Sequence, residues 1–449
     1  MLKIAKAERF VLDVPYTPRC EEWNALMVRQ WRIVDIIKVT LADGTVGWGE
    51  SLPHYTWARS SDTTLENIIG QNPLALIHDD SLGAGLQIAL LDAAGKALGL
   101  PVWALVGGPL LREETPIAWW NTEMNPEVLA EEAIEAVAAG YTFHKIKARP
   151  FLDTFAQVEA ISAVTPEHFR LDMDFNDLLL HAGIAAPILQ ELDTYAKVAL
   201  YEGPIPQRDL EGYRKLREKI VKPIATHADV PPLQIALREE NCDGFVLSEC
   251  GLSNARRVNA LCAAFEKPYW LQGVGTGLMT AYLAHLGAVL SHARWPTVTC
   301  MNNYADDLLI TPLVIKNGFV EVPMAPGLGV EFDESVLEKY ALEPPYHLPE
   351  RRHIITVSWP SGRRVHYAYL VNRLGNHAAV PFSHAANAYH LDTNRQCWED
   401  FLLGNQPIEP RGVKLSIWKD DNTDDWNKLY TQCLRGPARG KGGLEARAI

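Results

Sequence analysis

Between about residues 116 and 312 the chain alternates short apolar, β-prone runs with helix-patterned stretches, at a repeat of about 25 residues. Candidate strands lie at 117–120, 143–147, 169–173, 198–202, 223–227, 244–248, 269–272 and 297–301. Helical patterns separate them. The stretch 126–139, for example, has Asn125 placed as an N-cap and Gly140 as a stop. Seven or eight βα units in series predict an α/β chain folded as a (β/α)8-type barrel, since an open sheet rarely continues so long in one sense.

Polar groups gather where these strands end. Lys145-Ile146-Lys147 closes one run, Asp174-Phe175-Asn176 follows the next, and Glu202-Gly203-Pro204 follows the third. In a barrel of this kind the C-terminal strand ends carry the chemistry. Lysines at i and i+2 of a strand share a face. Carboxylates from the two neighbouring strands stand where a divalent cation could be held beside them. A cation that stabilises an enolate, next to a lysine able to take a proton, is the equipment for deprotonation alpha to a carboxylate. Asp172 has the parity of Asp174 and is expected to face inward as a partner for a lysine.

On either side of the repeat the pattern changes. Residues 1–115 read as strands followed by helices, with Ala42-Asp43-Gly44 as a hairpin turn between two strands and Gly99 and Pro101 ending a helix at 86–98. The tail 346–449 is rich in Trp, His, Arg and Asn. It has strand-like pieces at 354–359, 365–370 and 413–418, and a Gly/Arg-rich stretch at 436–443 that reads as flexible. Its role stays open between covering the barrel mouth, forming an oligomer contact, and neither.

The 449 residues carry a net charge of −13, and no basic stripe answers phosphates, so a nucleic-acid partner is not expected. Seven cysteines without a CxxC pair point to reduced thiols and a cytoplasmic protein, with Cys242, Cys250 and Cys262 as core residues. Neither a signal peptide nor a membrane-spanning run is read, and no membrane partner is expected.

The ordered set Gly47-Trp48-Gly49-Glu50, the run 91–102, Leu105-Val106-Gly107-Gly108, the lysine and carboxylate motifs above, the run 318–323 and the run 326–330 resembles the enolase superfamily. The closer likeness is to its mandelate racemase/muconate lactonizing group, over roughly residues 1–345. The resemblance implies an N-terminal α+β capping domain at 1–115 completed by about 316–345, a catalytic barrel at 116–315, and a C-terminal β-rich extension at 346–449. It places the segments 16–31 and 52–57 where the family closes over its substrate. It also implies a homo-oligomer.

Residue by residue, Lys147 matches the family's general base and Lys145 the lysine that touches the substrate carboxylate and lowers its neighbour's pKa. Asp174 and Glu202 match the first two Mg2+ ligands, with Asn176 orienting Asp174. The third ligand departs from the family. In Pro223-Ile224-Ala225-Thr226-His227-Ala228-Asp229 either His227 or Asp229 can complete the site. Asp229 would make an oxygen cage for Mg2+, whereas His227 would admit Mn2+ or another divalent metal. Relatives carry a base at the end of the sixth or seventh strand, where this chain has Ser248 and Gln272, neither a base at neutral pH, with Glu249 one position off. Arg149, Trp119, Trp120 and Asn121 are candidates to read a small carboxylate substrate, although Trp119 and Trp120 cannot both face inward. With one base, elimination is expected, that is, dehydration of a hydroxy acid or acid sugar. The alternatives are a racemase, epimerase or cycloisomerase, or a barrel that has lost catalysis and kept a binding role.

Overall fold

The computed structural model describes residues 2–53, 55–57, 59–344, 352–368 and 395–440. Eight parallel strands form the barrel: Glu114–Trp120, Phe143–Lys147, Arg170–Asp174, Val198–Glu202, Ile224–His227, Gly244–Leu247, Tyr269–Leu271 and Thr297–Val298. The ring closes because Thr297 and Val298 pair with Ile117 and Ala118 of the first strand, while Gln272 bridges to Val298. Each strand rises to the same mouth and the first seven are each followed by a helix on the outside, so inward residues of neighbouring strands meet in layers. The register sets Lys145 beside Asp172, Lys147 beside Asp174, and Asp174 beside Glu202.

The N-terminal part is an antiparallel sheet of Ile4–Asp13, Ile33–Leu41 and Val46–Ser51, packed on the helix Ala84–Leu98. Gly47 and Gly49 permit that contact: a Cβ on Gly49 would run into the Gly85 carbonyl and the Ala89 amide. The returning chain divides its contacts. Phe319–Glu321 pairs with Glu114–Pro116 of the first barrel strand, whereas Phe332 stacks on Trp48 and Leu342 donates to the Val11 carbonyl.

The C-terminal extension folds as a four-stranded antiparallel sheet in the order Lys414–Lys419, His353–Ser358, Arg364–Ala368, Ala438–Gly440, with helices Arg395–Leu402 and Asp424–Cys433. Ala438–Gly440 is therefore a paired edge strand, in place of the flexible segment expected at 436–443. Residues 441–443 lie outside the described residues, as do 369 and 370 of the strand expected at 365–370. The extension seats on the barrel through several contacts. Asn125 Nδ2 donates to the Leu415 carbonyl at 3.0 Å, the Gly412 amide donates to Asp153 Oδ2 at 2.5 Å, and Arg411 lies over the Phe155 ring at 4.0 Å. Among the described residues no helix is long and apolar enough to cross a membrane.

Candidate active site

Strand parity brings Lys145 and Lys147 to the barrel interior, where both are almost completely buried. Lys147 Nζ donates to Asp174 Oδ2 at 2.5 Å and to Asn176 Oδ1 at 3.2 Å. Lys145 Nζ donates to Glu202 Oε2 and, at 2.8 Å, to Gln272 Oε1. Its distance to Asp174 Oδ2 is 3.6 Å. The Asn176 amide donates to Asp174 Oδ1 at 2.9 Å, a turn that requires Asn176 at φ 42°. Asparagine tolerates that left-handed backbone better than most side chains.

The environment separates the two lysines. Burial lowers the pKa of Lys147, and Lys145 and Arg149 push the same way against the pull of Asp174. Burial would lower Lys145 as well, but Glu202 and Asp174 outweigh it and raise its pKa. Burial would raise Asp174, yet Lys147, Lys145 and Arg149 hold its carboxyl well below the usual range. Asp172 is pushed far up, first by burial and then by Glu202, and its Oδ1 has no hydrogen-bond partner.

His227, at the end of the fifth strand, points its Nε2 at Glu202 Oε1 across 3.3 Å. Its Nδ1 lies 3.0 Å from Ser248 Oγ. A tautomer protonated at Nδ1, donating to that hydroxyl, would leave the Nε2 lone pair directed at the carboxylates. Asp229 is exposed and lines a separate outer cleft with Ser248, Glu249, Pro232 and Arg257. Of the two expected third ligands, His227 alone is brought to the other carboxylates. Ser248 is engaged with His227, while Gln272 bridges Lys145 and the hydroxyl of Tyr55, to which its Nε2 donates at 2.6 Å.

Trp119 and Asn121 do not reach the interior. Trp119 Nε1 donates to Asn121 Oδ1 and Glu132 Oε2, Asn121 Nδ2 donates to the same Glu132 oxygen, and Trp119 packs edge-on against Tyr141. Both therefore sit between the first strand and its helix, because the inward residue at that strand end is Trp120, whose ring lies 5.6 Å from Lys147 Nζ. Arg149 does face inward, but protein groups engage it: Nε donates to Glu123 Oε1 at 2.8 Å, one terminal nitrogen to the Asp174 carbonyl at 2.7 Å, and the other to Asn176 Oδ1. It braces the carboxylate instead of presenting a free fork to substrate.

Several side chains at the mouth were not singled out one by one, although Trp31 and Tyr55 lie in the segments 16–31 and 52–57 expected to close over the substrate. Trp31 and Tyr55 come from the N-terminal part, with rings 4.8 Å apart, and Trp31 lies 5.2 Å from Trp120. Together they roof the lysines with aromatic surface. Glu123 and the distant Trp398 complete the surroundings of Arg149.

The donor set of Asp174, Glu202 and His227 fits a divalent cation in kind. Two carboxylates stand on adjacent strands and an imidazole faces one of them across 3.3 Å, with the orphaned Asp172 oxygen on the same strand as Asp174. Here the two ammonium groups hold the carboxylates, and among the described residues no three His, Cys, Asp or Glu donors stand at coordinating spacing.

Residues 128–336 match the enolase C-terminal domain-like family. A D-gluconate dehydratase of Thermoproteus tenax is 26% identical over 356 residues, covering 69% of this chain and 70% of the relative. A chloromuconate cycloisomerase of Delftia acidovorans is 28% identical over 380 residues, covering 76% and 99%. Among solved structures, an enolase-superfamily member from Roseovarius nubinhibens, complexed with magnesium, superposes with a TM-score of 0.60 at 23% identity, covering 75% and 97%. The stretch 128–336 is thus similar to the enolase C-terminal domain, and the relatives and structures that match the chain include a dehydratase, a cycloisomerase and a member of the enolase superfamily.

Proposed function

We propose that this chain is an enzyme that removes the proton alpha to a carboxylate of a small substrate, with Lys147 Nζ as the base, and that the reaction is a dehydration. The observation that carries this reading is the asymmetry of the barrel mouth. Buried Lys147 stands beside Asp174 at the end of the second strand, while the ends of the sixth and seventh strands carry Ser248 and Gln272, both neutral and both engaged. Racemisation needs a base on each face of the planar intermediate, whereas elimination needs one.

Asp174, Glu202 and His227 would hold the metal, with Mg2+ the first choice and Mn2+ or another divalent ion admitted by the imidazole. When bound, the cation supplies positive charge against the substrate carboxylate as it gains electron density. Lys145 adds a second positive charge beside it. Lys147, as a neutral amine, takes the alpha proton; the bond from the adjacent carbon to its hydroxyl then breaks. The Lys147 ammonium returns a proton to the departing oxygen, so that water leaves and an enol remains to become the keto acid. Relatives that include a D-gluconate dehydratase support an acid sugar or hydroxy acid as substrate. Seven buried thiols without disulfides agree with a reducing, cytoplasmic setting.

One observation favours a second reading. The aromatic roof of Trp31, Tyr55 and Trp120 offers a flat apolar wall, which suits a planar carboxylate in a cycloisomerase reaction that also needs only one base.

The test is a screen of acid sugars and of planar dicarboxylates with the Mg2+-loaded protein, scoring 2-keto-3-deoxy acid formation against ring closure without loss of water. Lys147→Ala should lower kcat by about 10²–10⁴-fold, the range for a general base. Interconversion of enantiomers by the wild type would overturn the one-base reading.

A further inference from the structure

The guanidinium of Arg149 is the inward residue just above Lys147, and it is about 1% exposed. Its edge donates to Glu123, to the Asp174 carbonyl and to Asn176, and the last two residues also hold Lys147. What covers its face comes from about 250 residues away in sequence. The indole of Trp398, on the helix Arg395–Leu402 of the extension, lies 4.8 Å from the Arg149 guanidinium carbon and is about 5% exposed.

That helix is held from two sides. Phe401 packs edge-on against Phe151 of the barrel at 5.4 Å and stacks on Trp359 of the extension at 5.9 Å. Tyr367 donates to Asp400 Oδ2 at 2.9 Å, which ties the helix to the extension sheet. Cys397 and Trp398 meet Met27 of the N-terminal part and Glu123 and Phe151 of the barrel around one small cleft. Three parts of the chain therefore converge over Arg149. An indole face over a desolvated guanidinium is attractive, and it excludes the water that would otherwise compete for the same donors.

We propose that the C-terminal extension is a constituent of the active site, and that Trp398 is a positioning residue. It clamps Arg149 flat, and through Arg149 it fixes the Asp174 carbonyl and Asn176 Oδ1, so that Asp174 and Lys147 keep one geometry. The proposal rests on the reading of Asp174 as a ligand under Proposed function. Groups that orient metal ligands from behind commonly change metal affinity by 10- to 100-fold when altered.

The experiment uses the full chain and Mn2+ alone as probe, with the dissociation constant read by electron paramagnetic resonance or calorimetry and folding checked by thermal melting. Trp398→Leu fills similar apolar space without a π face, and Trp398→Phe keeps the face. Trp398→Leu should weaken Mn2+ binding by about tenfold, whereas Trp398→Phe should stay within about twofold of wild type. Arg149→Lys should weaken binding similarly, and the double variant with Trp398→Leu should be no worse than the poorer single. Equal Mn2+ affinity in wild type and Trp398→Leu overturns the clamp and leaves the metal reading standing. Additive losses also overturn it. A wild-type protein that binds no Mn2+ overturns the metal reading, and the clamp with it.

Discussion

His227 and Asp229 differ by two positions in sequence and by their whole surroundings in space. The strand Ile224–His227 ends with the imidazole turned toward Glu202, and the backbone then leaves the barrel, carrying Asp229 to an exposed cleft wall. Same-face parity holds only while a strand continues. His227→Ala is therefore expected to weaken divalent-metal binding by tenfold or more, and Asp229→Ala to leave it within about twofold, both measured by calorimetry with Mn2+. The same limit explains what was legible here. Lys145, Lys147, Asp174 and Glu202 could be read because they end unbroken apolar runs, where parity is secure. Trp119 and Asn121 were misplaced because the phase of the first strand was ambiguous between Trp119 and Trp120. Trp31 and Tyr55 could be read only as members of the segments 16–31 and 52–57, and Glu123 left no signal, since an aromatic in a loop or a lone carboxylate past a strand end has no pattern to betray its direction.

The helix Gly277–Val289 is apolar along its length and fully buried, so its first amides must find partners inside the protein. Glu50, at the end of Gly47-Trp48-Gly49-Glu50, provides them from another part of the chain. Its Oε1 accepts from the Thr276 and Met279 amides at 2.8 and 2.5 Å, and its Oε2 from Thr276 Oγ1 at 2.6 Å. The motif recognised in sequence is thus a joint: two glycines let a helix close on the strand, and a carboxylate caps a barrel helix. Burial raises the Glu50 pKa from 4.5 to about 7, against the hydrogen bonds that lower it. The folded state therefore binds this proton more tightly than the unfolded state, and stability falls as pH rises from 4.5 toward 7. The contribution amounts to about 3 kcal/mol across that window. Urea unfolding at several pH values should show this slope in the wild type and its loss in Glu50→Gln, which keeps an acceptor for the two amides.

At the level of the whole molecule, the barrel, the N-terminal part and the extension are joined by direct contacts, some buried and some at the surface. Phe151 and Phe155 meet Phe401 and Arg411, and Lys419 pairs with Glu22 at 2.9 Å. The full chain should therefore melt in one transition. A chain ending at residue 344, with those aromatic faces exposed, should melt at least about 2–4 °C lower or aggregate, as followed by scanning calorimetry and light scattering. The sequence by itself determined the βα repeat, the strand ends that carry lysines and carboxylates, and the resemblance those motifs carry, because periodicity and parity are local properties of a chain. Only the tertiary structure decided which of His227 and Asp229 turns inward, that Arg149 braces Asp174, and that Trp398 from the tail lies over it. Those facts depend on which distant segments pack together, and that is set by burial and hydrogen-bond satisfaction across the whole molecule, not by any run of neighbouring residues.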